Sequence, residues 1–222
     1  QQSSGEYRTY PNEVTREGIR GIELNNMNEG TLSASHNAAL PFTRYVTGHA
    51  DYTPIAFTAP GETTWAHQLA TLVCYYSTFQ CIAENPEYLL KATKVQSAIN
   101  FISTVPSVWD ETIVLPQSKI GELAILVRRK GNDWYLGAIS NGDAKQLNIS
   151  CDFLGSGEYK SEIFKDDVQA EPINLEGLNP RANLSKFKTA IPFKKEEMIC
   201  RKSTNLTLDI AANGGFVIWF KS

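Results

Sequence analysis

The chain has 222 residues, of which 42% are hydrophobic, and a formal net charge of −3 at pH 7. This length suits one large or two ordinary domains, and the hydrophobic fraction is sufficient for buried cores. The charge argues against the strongly basic surface of a nucleic-acid-binding protein, and no apolar run is long enough to cross a membrane. The chain begins with Gln1 instead of Met and lacks a signal-peptide pattern, so we expect a piece of a longer protein.

Three glutamates lie among glycines and arginines near the start of the chain, at positions 13, 17 and 23. Asn12 can cap a short helix over residues 14–19, which would place Glu13 and Glu17 one turn apart on one face. The simpler interpretation of Glu13 and Glu17 is a solvated face paired with nearby arginines, since charged side chains are mostly exposed.

A turn after this helix would bring in the third glutamate. Gly18 and Gly21 disfavour a continuous helix, so the chain can turn and carry Glu23 back toward Glu17. Two carboxylates that meet in this way could share a hard cation or contact a sugar.

The remainder of the first half predicts mixed strand and helix. Residues 41–47 are strand-like, and the small and polar residues 48–54 suit a loop. Thr63 can cap a helix that carries an apolar stripe through residues 65–76, and a second helical stretch covers residues 86–102 with a break near its middle.

A strand followed by a polar loop and a helix makes one β/α unit. In a (β/α)8 barrel the loop after each strand faces the active site. His49 and Asp51 lie on this loop and are therefore candidates for substrate contact.

The second half changes from helical periodicity to alternation. Residues 123–127 and 134–139 alternate on either side of a turn at 130–133, which is the pattern of a β-hairpin. Further strand-like runs cover residues 146–153, 159–164, 206–210 and 216–220. The stretch 166–186 contains two prolines and several polar residues, so we interpret it as an irregular excursion. Short strands without helices predict an antiparallel β-sandwich.

The cysteines and tryptophans give no separate functional signal. None of the four cysteines belongs to a CxxC pair, which argues against a zinc site or a thioredoxin motif. Cys74 and Cys81 lie in an apolar stretch and suit buried positions. The four tryptophans lie in apolar, alternating elements, so core packing is favoured over sugar stacking.

Seven segments together resemble glycoside hydrolase family 97, the α-glucosidases and α-galactosidases. They are RTYPN at 8–12, TREGIRGIE at 15–23, HNAALPFTRYVTG at 36–48, ADYTP at 50–54, GETTWAHQLA at 61–70, FISTVPSVWDET at 101–112 and RRKGNDWYLGAISN at 128–141. No single segment is decisive, but their order and spacing extend across almost the whole chain.

The resemblance implies an α+β chain in two parts. Residues 1–101 would be the C-terminal part of a catalytic (β/α)8 barrel, with residues 45–48 as its last strand. Residues 102–222 would be a C-terminal antiparallel β-sandwich domain. Glu23 would be the general acid and would bind Ca²⁺ together with Glu17.

The implied activity is exo-acting hydrolysis of terminal α-linked sugars of oligosaccharides, with either retention or inversion. The second catalytic carboxylate and the remaining calcium ligands would lie upstream, so we expect this chain alone to be inactive. The family implies a periplasmic or other extracytoplasmic location, and a homo-oligomer is compatible with it. The alternative is a non-catalytic carbohydrate-binding or assembly module, which would not need the acids of residues 15–23.

Overall fold

The computed structural model describes residues 9, 10, 12, 14–27, 30–182, 184 and 186–222, so Glu13 lies outside the described residues. The α-helices of this part are α1 (Ala34–Ala39), α2 (Trp65–Cys74), α3 (Pro86–Lys91) and α4 (Gln96–Thr104). Short 3₁₀ helices span Ile22–Asn26, Leu40–Phe42, Arg44–Thr47 and Thr93–Val95. The strands are β1 (Glu111–Val114), β2 (Leu123–Lys130), β3 (Asp133–Ser140), β4 (Lys145–Ser150), β5 (Tyr159–Asp166), β6 (Ile173–Asn174), β7 (Thr189–Ala190), β8 (Phe193–Cys200), β9 (Asn205–Ile210) and β10 (Gly215–Lys221).

The second half of the chain is an antiparallel β domain. Six strands form one sheet in the order β1-β2-β3-β10-β5-β8, and β4 pairs with β9 in a separate ribbon. Apolar residues of this ribbon, such as Ile149 and Leu208, pack against one face of the large sheet and form a buried core with it. The predicted hairpin is confirmed as β2 and β3, joined at Gly131, which has a positive φ of 59°. The arrangement is consistent with the predicted antiparallel β-sandwich.

The first half of the chain covers the opposite face of the large sheet. Helix α2 packs on β2, β3 and β10, and one hydrophobic core joins its residues to those of the sheet. Gly137 permits this close approach, because a Cβ there would lie 2.9 Å from the carbonyl oxygen of Ala70. The predicted helix is confirmed, although its N-cap is Thr64, whose hydroxyl accepts the His67 amide at 3.1 Å, and not Thr63.

Two predicted elements of the first half are wrong. The predicted strand at 41–47 is a pair of 3₁₀ helices, Leu40–Phe42 and Arg44–Thr47, and the described residues before β1 contain no strand. The predicted helix at 14–19 is absent, because Gly18 has a φ of 113°. The carbonyl of Arg16 accepts the amide of Asp51 at 2.9 Å instead of an amide of its own segment. The assignment of residues 1–101 to the last part of a (β/α)8 barrel therefore remains a proposal.

Asp166 is a buried acid where the β domain meets the first half. Its Oδ2 accepts the backbone amides of Ala211 at 2.9 Å and Gly215 at 3.0 Å, so it fixes the turn between β9 and β10. Burial raises the pKa of Asp166 from 3.8 to about 6, although these two hydrogen bonds favour the charged form. The folded protein therefore binds this proton more tightly than the unfolded chain does.

We expect Asp166→Asn to flatten the pH dependence of stability. Because the folded pKa lies above the unfolded value, the stabilising contribution of protonated Asp166 is fully present below pH 3.8 and is lost as the pH rises through about 6. The loss amounts to about 2–3 kcal/mol. The amide of Asn does not titrate and can still accept a backbone hydrogen bond. Urea unfolding at several pH values checks this, with the exposed Asp143→Asn as the control; parallel profiles for wild type and Asp166→Asn would contradict it.

Candidate active site

Glu23 lies on the 3₁₀ helix Ile22–Asn26, which hydrogen bonds hold in place. The Ile22 amide donates to Thr53 O at 3.0 Å. The buried Asn25 donates from Nδ2 to Ala59 O at 2.9 Å and accepts the Leu32 amide on Oδ1 at 3.0 Å. This short helix is thereby fixed to two loops of the first half.

The carboxylate of Glu23 folds back against the glycine before the helix. A Cβ on Gly21 would lie only 2.0 Å from Glu23 Oε2, so this side-chain position requires glycine there. Oε2 is buried and has no hydrogen-bond partner among the described residues. The pKa of the nearby Tyr52 phenol is raised mainly by burial and further by the negative charge of Glu23.

Glu23 lines a cavity of about 780 Å³ between the two halves of the chain. Its other walls come from the start of helix α3 and from the excursion after β6, and they include Asn26, Glu84, Asn179 and Arg181. An acid, an amide and a guanidinium group therefore converge on one polar space. Such a space suits a ligand with many hydroxyl groups.

Asn179 ties the C-terminal excursion to the helix that carries Glu23. Its Nδ2 lies 2.9 Å from Asn26 Oδ1 and 3.1 Å from Thr58 Oγ1. Thr58 in turn donates to the buried Glu84, from its amide at 2.7 Å and from its hydroxyl at 2.8 Å. The excursion is thus part of the cavity wall, which the sequence pattern at 166–186 did not indicate.

Glu17 is exposed and lines a different cavity, of about 690 Å³, together with Arg20, Ser33 and His36. Burial, with Arg20 adding to it, lowers the pKa of His36. The structure thus places Glu17 and Glu23 on two separate cavities. No group of three or more potential metal-binding side chains occurs in the described part of the chain. Glu17 and Glu23 alone supply only part of the six to eight oxygen ligands that Ca²⁺ takes.

His49 and Asp51 lie against the segment that precedes Glu17. The guanidinium of Arg44 donates to the carbonyls of His49 at 3.1 Å and Arg16 at 3.4 Å. His49 is 8% exposed, and its ring meets that of Tyr76 edge-on with centroids 6.1 Å apart. Asp51 is half-buried. Both residues hold the loop against its neighbours, and the described walls of the Glu23 cavity come from other segments.

Comparison with known proteins places this chain in a family of glycoside hydrolases. Residues 108–221 match the family model described as glycosyl-hydrolase 97 C-terminal, oligomerisation. The chain is 30% identical to a retaining α-galactosidase of Bacteroides thetaiotaomicron in an alignment of 232 positions that covers 98% of this chain and 32% of that protein. It is also 30% identical to a probable retaining α-galactosidase of Streptomyces bingchenggensis, over 96% of this chain and 29% of that protein.

Solved structures agree with this class. A glycoside hydrolase family 97 enzyme from Pseudoalteromonas sp. strain K8, in complex with acarbose, superposes with a TM-score of 0.79 and 34% identity over 98% of this chain and 33% of its own. A β-arabinopyranosidase shares the fold, with a TM-score of 0.70 and 22% identity over 95% of this chain and 31% of its own. The chain belongs to glycoside hydrolase family 97, and it spans about a third of the length of these relatives.

Proposed function

We propose that this chain is the C-terminal portion of an exo-acting α-glycosidase and that Glu23 is its general acid. The observation that carries the proposal is the carboxylate of Glu23, held against Gly21 with one buried oxygen that has no partner among the described residues. A general acid must reach the glycosidic oxygen with its proton, and Glu23 lines the polar cavity in which a sugar could meet it. Because two relatives are named as a retaining and a probable retaining α-galactosidase, we propose α-galactosides, and not α-glucosides, as the substrates.

The proposed reaction needs a second carboxylate. In a retaining enzyme the two catalytic carboxyl groups are about 5–5.5 Å apart. Glu84 is the other acid on the Glu23 cavity, but its oxygens accept hydrogen bonds from Thr58 and from the amide of Asn85 at 2.8 Å. We therefore propose that the nucleophile lies outside this chain, within a barrel of which residues 1–101 are the last part. The 222-residue chain alone should not hydrolyse nitrophenyl α-glycosides.

Calcium is part of the proposal, with Glu17 and Glu23 as two of its ligands. Because the two carboxylates line different cavities in this structure, residues from outside the described part would have to bring them together and supply the remaining oxygens. A bound Ca²⁺ would supply positive charge that fixes the orientation of these carboxylates. His49 and Asp51 remain proposed substrate contacts on the loop after Arg44–Thr47.

Calcium should stabilise a longer polypeptide that contains this chain, since a ligand that binds only the folded state raises its stability. We expect millimolar Ca²⁺ to raise the midpoint of thermal unfolding by several degrees and Glu17→Gln to remove most of that rise. The exposed Glu171→Gln is the matched control and should keep it. An equal response of wild type and Glu17→Gln would reject Glu17 as a ligand without affecting the role proposed for Glu23.

We also propose a second role, in which the β domain mediates the association of copies of this chain. Its family model carries oligomerisation in its description. Strands β1 and β8 form the two edges of the large sheet, and apolar side chains such as Val114 and Ile199 are exposed on them. We propose a homo-oligomer in an extracytoplasmic compartment. No helix among the described residues has the length and apolar character needed to cross a membrane.

A further inference from the structure

Two cysteines of the β domain lie apart from the candidate active site. Cys151 follows the last residue of β4, and Cys200 is the last residue of β8. Both side chains are fully buried, and both belong to the core between the large sheet and the β4–β9 ribbon. The proposed glycosidase function gives this pair no role.

Hydrogen bonds and turn geometry bring the two cysteines to one point between the sheets. The Cys151 amide donates to Thr204 O at 2.9 Å, directly beyond the last pair of the β4–β9 ribbon. The turn that follows Cys200 closes with the Thr204 amide on Arg201 O, also at 2.9 Å. Thr204 therefore fixes the backbone of Cys151 beside the turn that Cys200 begins. The two cysteines are therefore neighbours in the core between the large sheet and the ribbon.

The contact makes the two thiols unequal. Interaction with Cys151 lowers the pKa of Cys200 to about 6, and interaction with Cys200 raises the pKa of Cys151. The thiolate is the nucleophile in thiol–disulfide exchange.

We propose that Cys151 and Cys200 form a disulfide bond that joins β4 to β8 and so links the two sheets of the β domain. The oxidant is a small disulfide such as oxidised glutathione. The thiolate of one of the two cysteines attacks one of its sulfurs, forms a mixed disulfide and expels one glutathione thiolate. The thiolate of the other cysteine then attacks the protein sulfur of the mixed disulfide, forms the protein disulfide and expels the second glutathione thiolate. The two protons lost by the cysteines end on the two glutathione thiols.

Burial determines when the bond forms and what it does. Because both side chains are fully buried, exchange takes place during folding, before the ribbon covers the sheet. The bond then closes a loop of 50 residues, from position 151 to position 200 inclusive. A cross-link of this length restricts the unfolded chain and should raise the midpoint of thermal unfolding by roughly 5–10 °C.

The test is to refold the chain from denaturant with oxidised and reduced glutathione and, in parallel, with dithiothreitol. Mass spectrometry of a non-reduced digest should identify peptides joined through Cys151 and Cys200, and thiol titration in denaturant should count two free thiols instead of four. The oxidised protein should unfold at a temperature roughly 5–10 °C higher than the reduced protein.

Two variants complete the test. Cys151→Ala should lose both the linked peptides and the temperature difference, whereas the exposed Cys81→Ala should keep both. The peptide and thiol analysis of the wild-type chain decides the question even if Cys151→Ala does not fold. Four free thiols after oxidative refolding, or a cross-link through Cys81, would overturn the proposal.

Discussion

Replacing Glu23 by Gln is expected to lower kcat/KM about 10²–10⁴-fold in a polypeptide that joins this chain to the upstream part of its parent. The amide of Gln has the size of the carboxyl group but has no acidic proton to give to the glycosidic oxygen. The change keeps the close fit against Gly21, because the carboxamide fills the space that the carboxylate occupies. KM should change much less than kcat, since proton donation acts on the transition state.

The matched control for this variant is Glu87→Gln on helix α3. The Glu87 side chain is 69% exposed and pairs with Lys91, so its replacement should leave activity within about twofold. Without added Ca²⁺, both variants should unfold at temperatures close to that of the wild type. On an unactivated α-galactoside, Glu23→Gln with more than about a tenth of wild-type kcat/KM would contradict the assignment of the general acid.

Trp65→Ala should destabilise the chain by about 3–5 kcal/mol. Trp65 is fully buried, and its ring packs against Phe57 with centroids 5.0 Å apart and against Phe193 of β8 with centroids 6.2 Å apart. Its Nε1 donates to Phe57 O at 2.9 Å, and its amide donates to Ile191 O at 3.2 Å. The residue therefore joins the first half of the chain to the β domain, and its loss should weaken both.

Two further variants separate the effects of volume and hydrogen bonding at this position. Trp65→Phe keeps much of the apolar area and loses the Nε1 hydrogen bond, so we expect a smaller loss of about 1–3 kcal/mol. Phe79→Ala is the control, because Phe79 is 55% exposed and should contribute less than about 1 kcal/mol. Urea unfolding measures all three, and a loss below about 1 kcal/mol for Trp65→Ala would show that the two halves are not coupled through this side chain.

The sequence predicts correctly those elements whose hydrophobic pattern arises within one chain segment. The β2–β3 hairpin alternates because its two faces pack on two different cores, with Tyr135 and Ile139 toward the first half and Leu136 toward the ribbon. Helix α2 is predictable for a similar reason, since an apolar segment follows a capping threonine.

The wrong elements lie where contacts with distant segments decide the conformation. Residues 41–47 have the composition of a strand, but helix α1 leads directly into the 3₁₀ helix Leu40–Phe42, which has Pro41 near its start. Strand β8 was missed because charged residues such as Lys195 and Glu197 obscure its alternation at the sheet edge. Neither outcome follows from local periodicity.

The residues of the candidate site were likewise only partly predictable from the sequence. The glycines around them singled out Glu17 and Glu23, whereas their roles came from the family resemblance and remain proposals. Asn25 and Asn179 hold the helix that carries Glu23 in place. Spacing did not indicate these two residues, because their contacts join segments that lie far apart in sequence. Asn179 Nδ2 lies 2.9 Å from Asn26 Oδ1, although the two residues are 153 positions apart in the chain. No pattern within one segment can predict such a contact.

The dependence of the Glu23→Gln defect on the leaving group tests the central claim most directly. A general acid matters most when the departing alcohol needs its proton and least when the leaving group departs without one. For an unactivated α-galactoside the variant should lose about 10²–10⁴-fold in kcat/KM, whereas for a dinitrophenyl α-galactoside it should remain within about tenfold of the wild type. An equal loss on both substrates would contradict proton donation by Glu23.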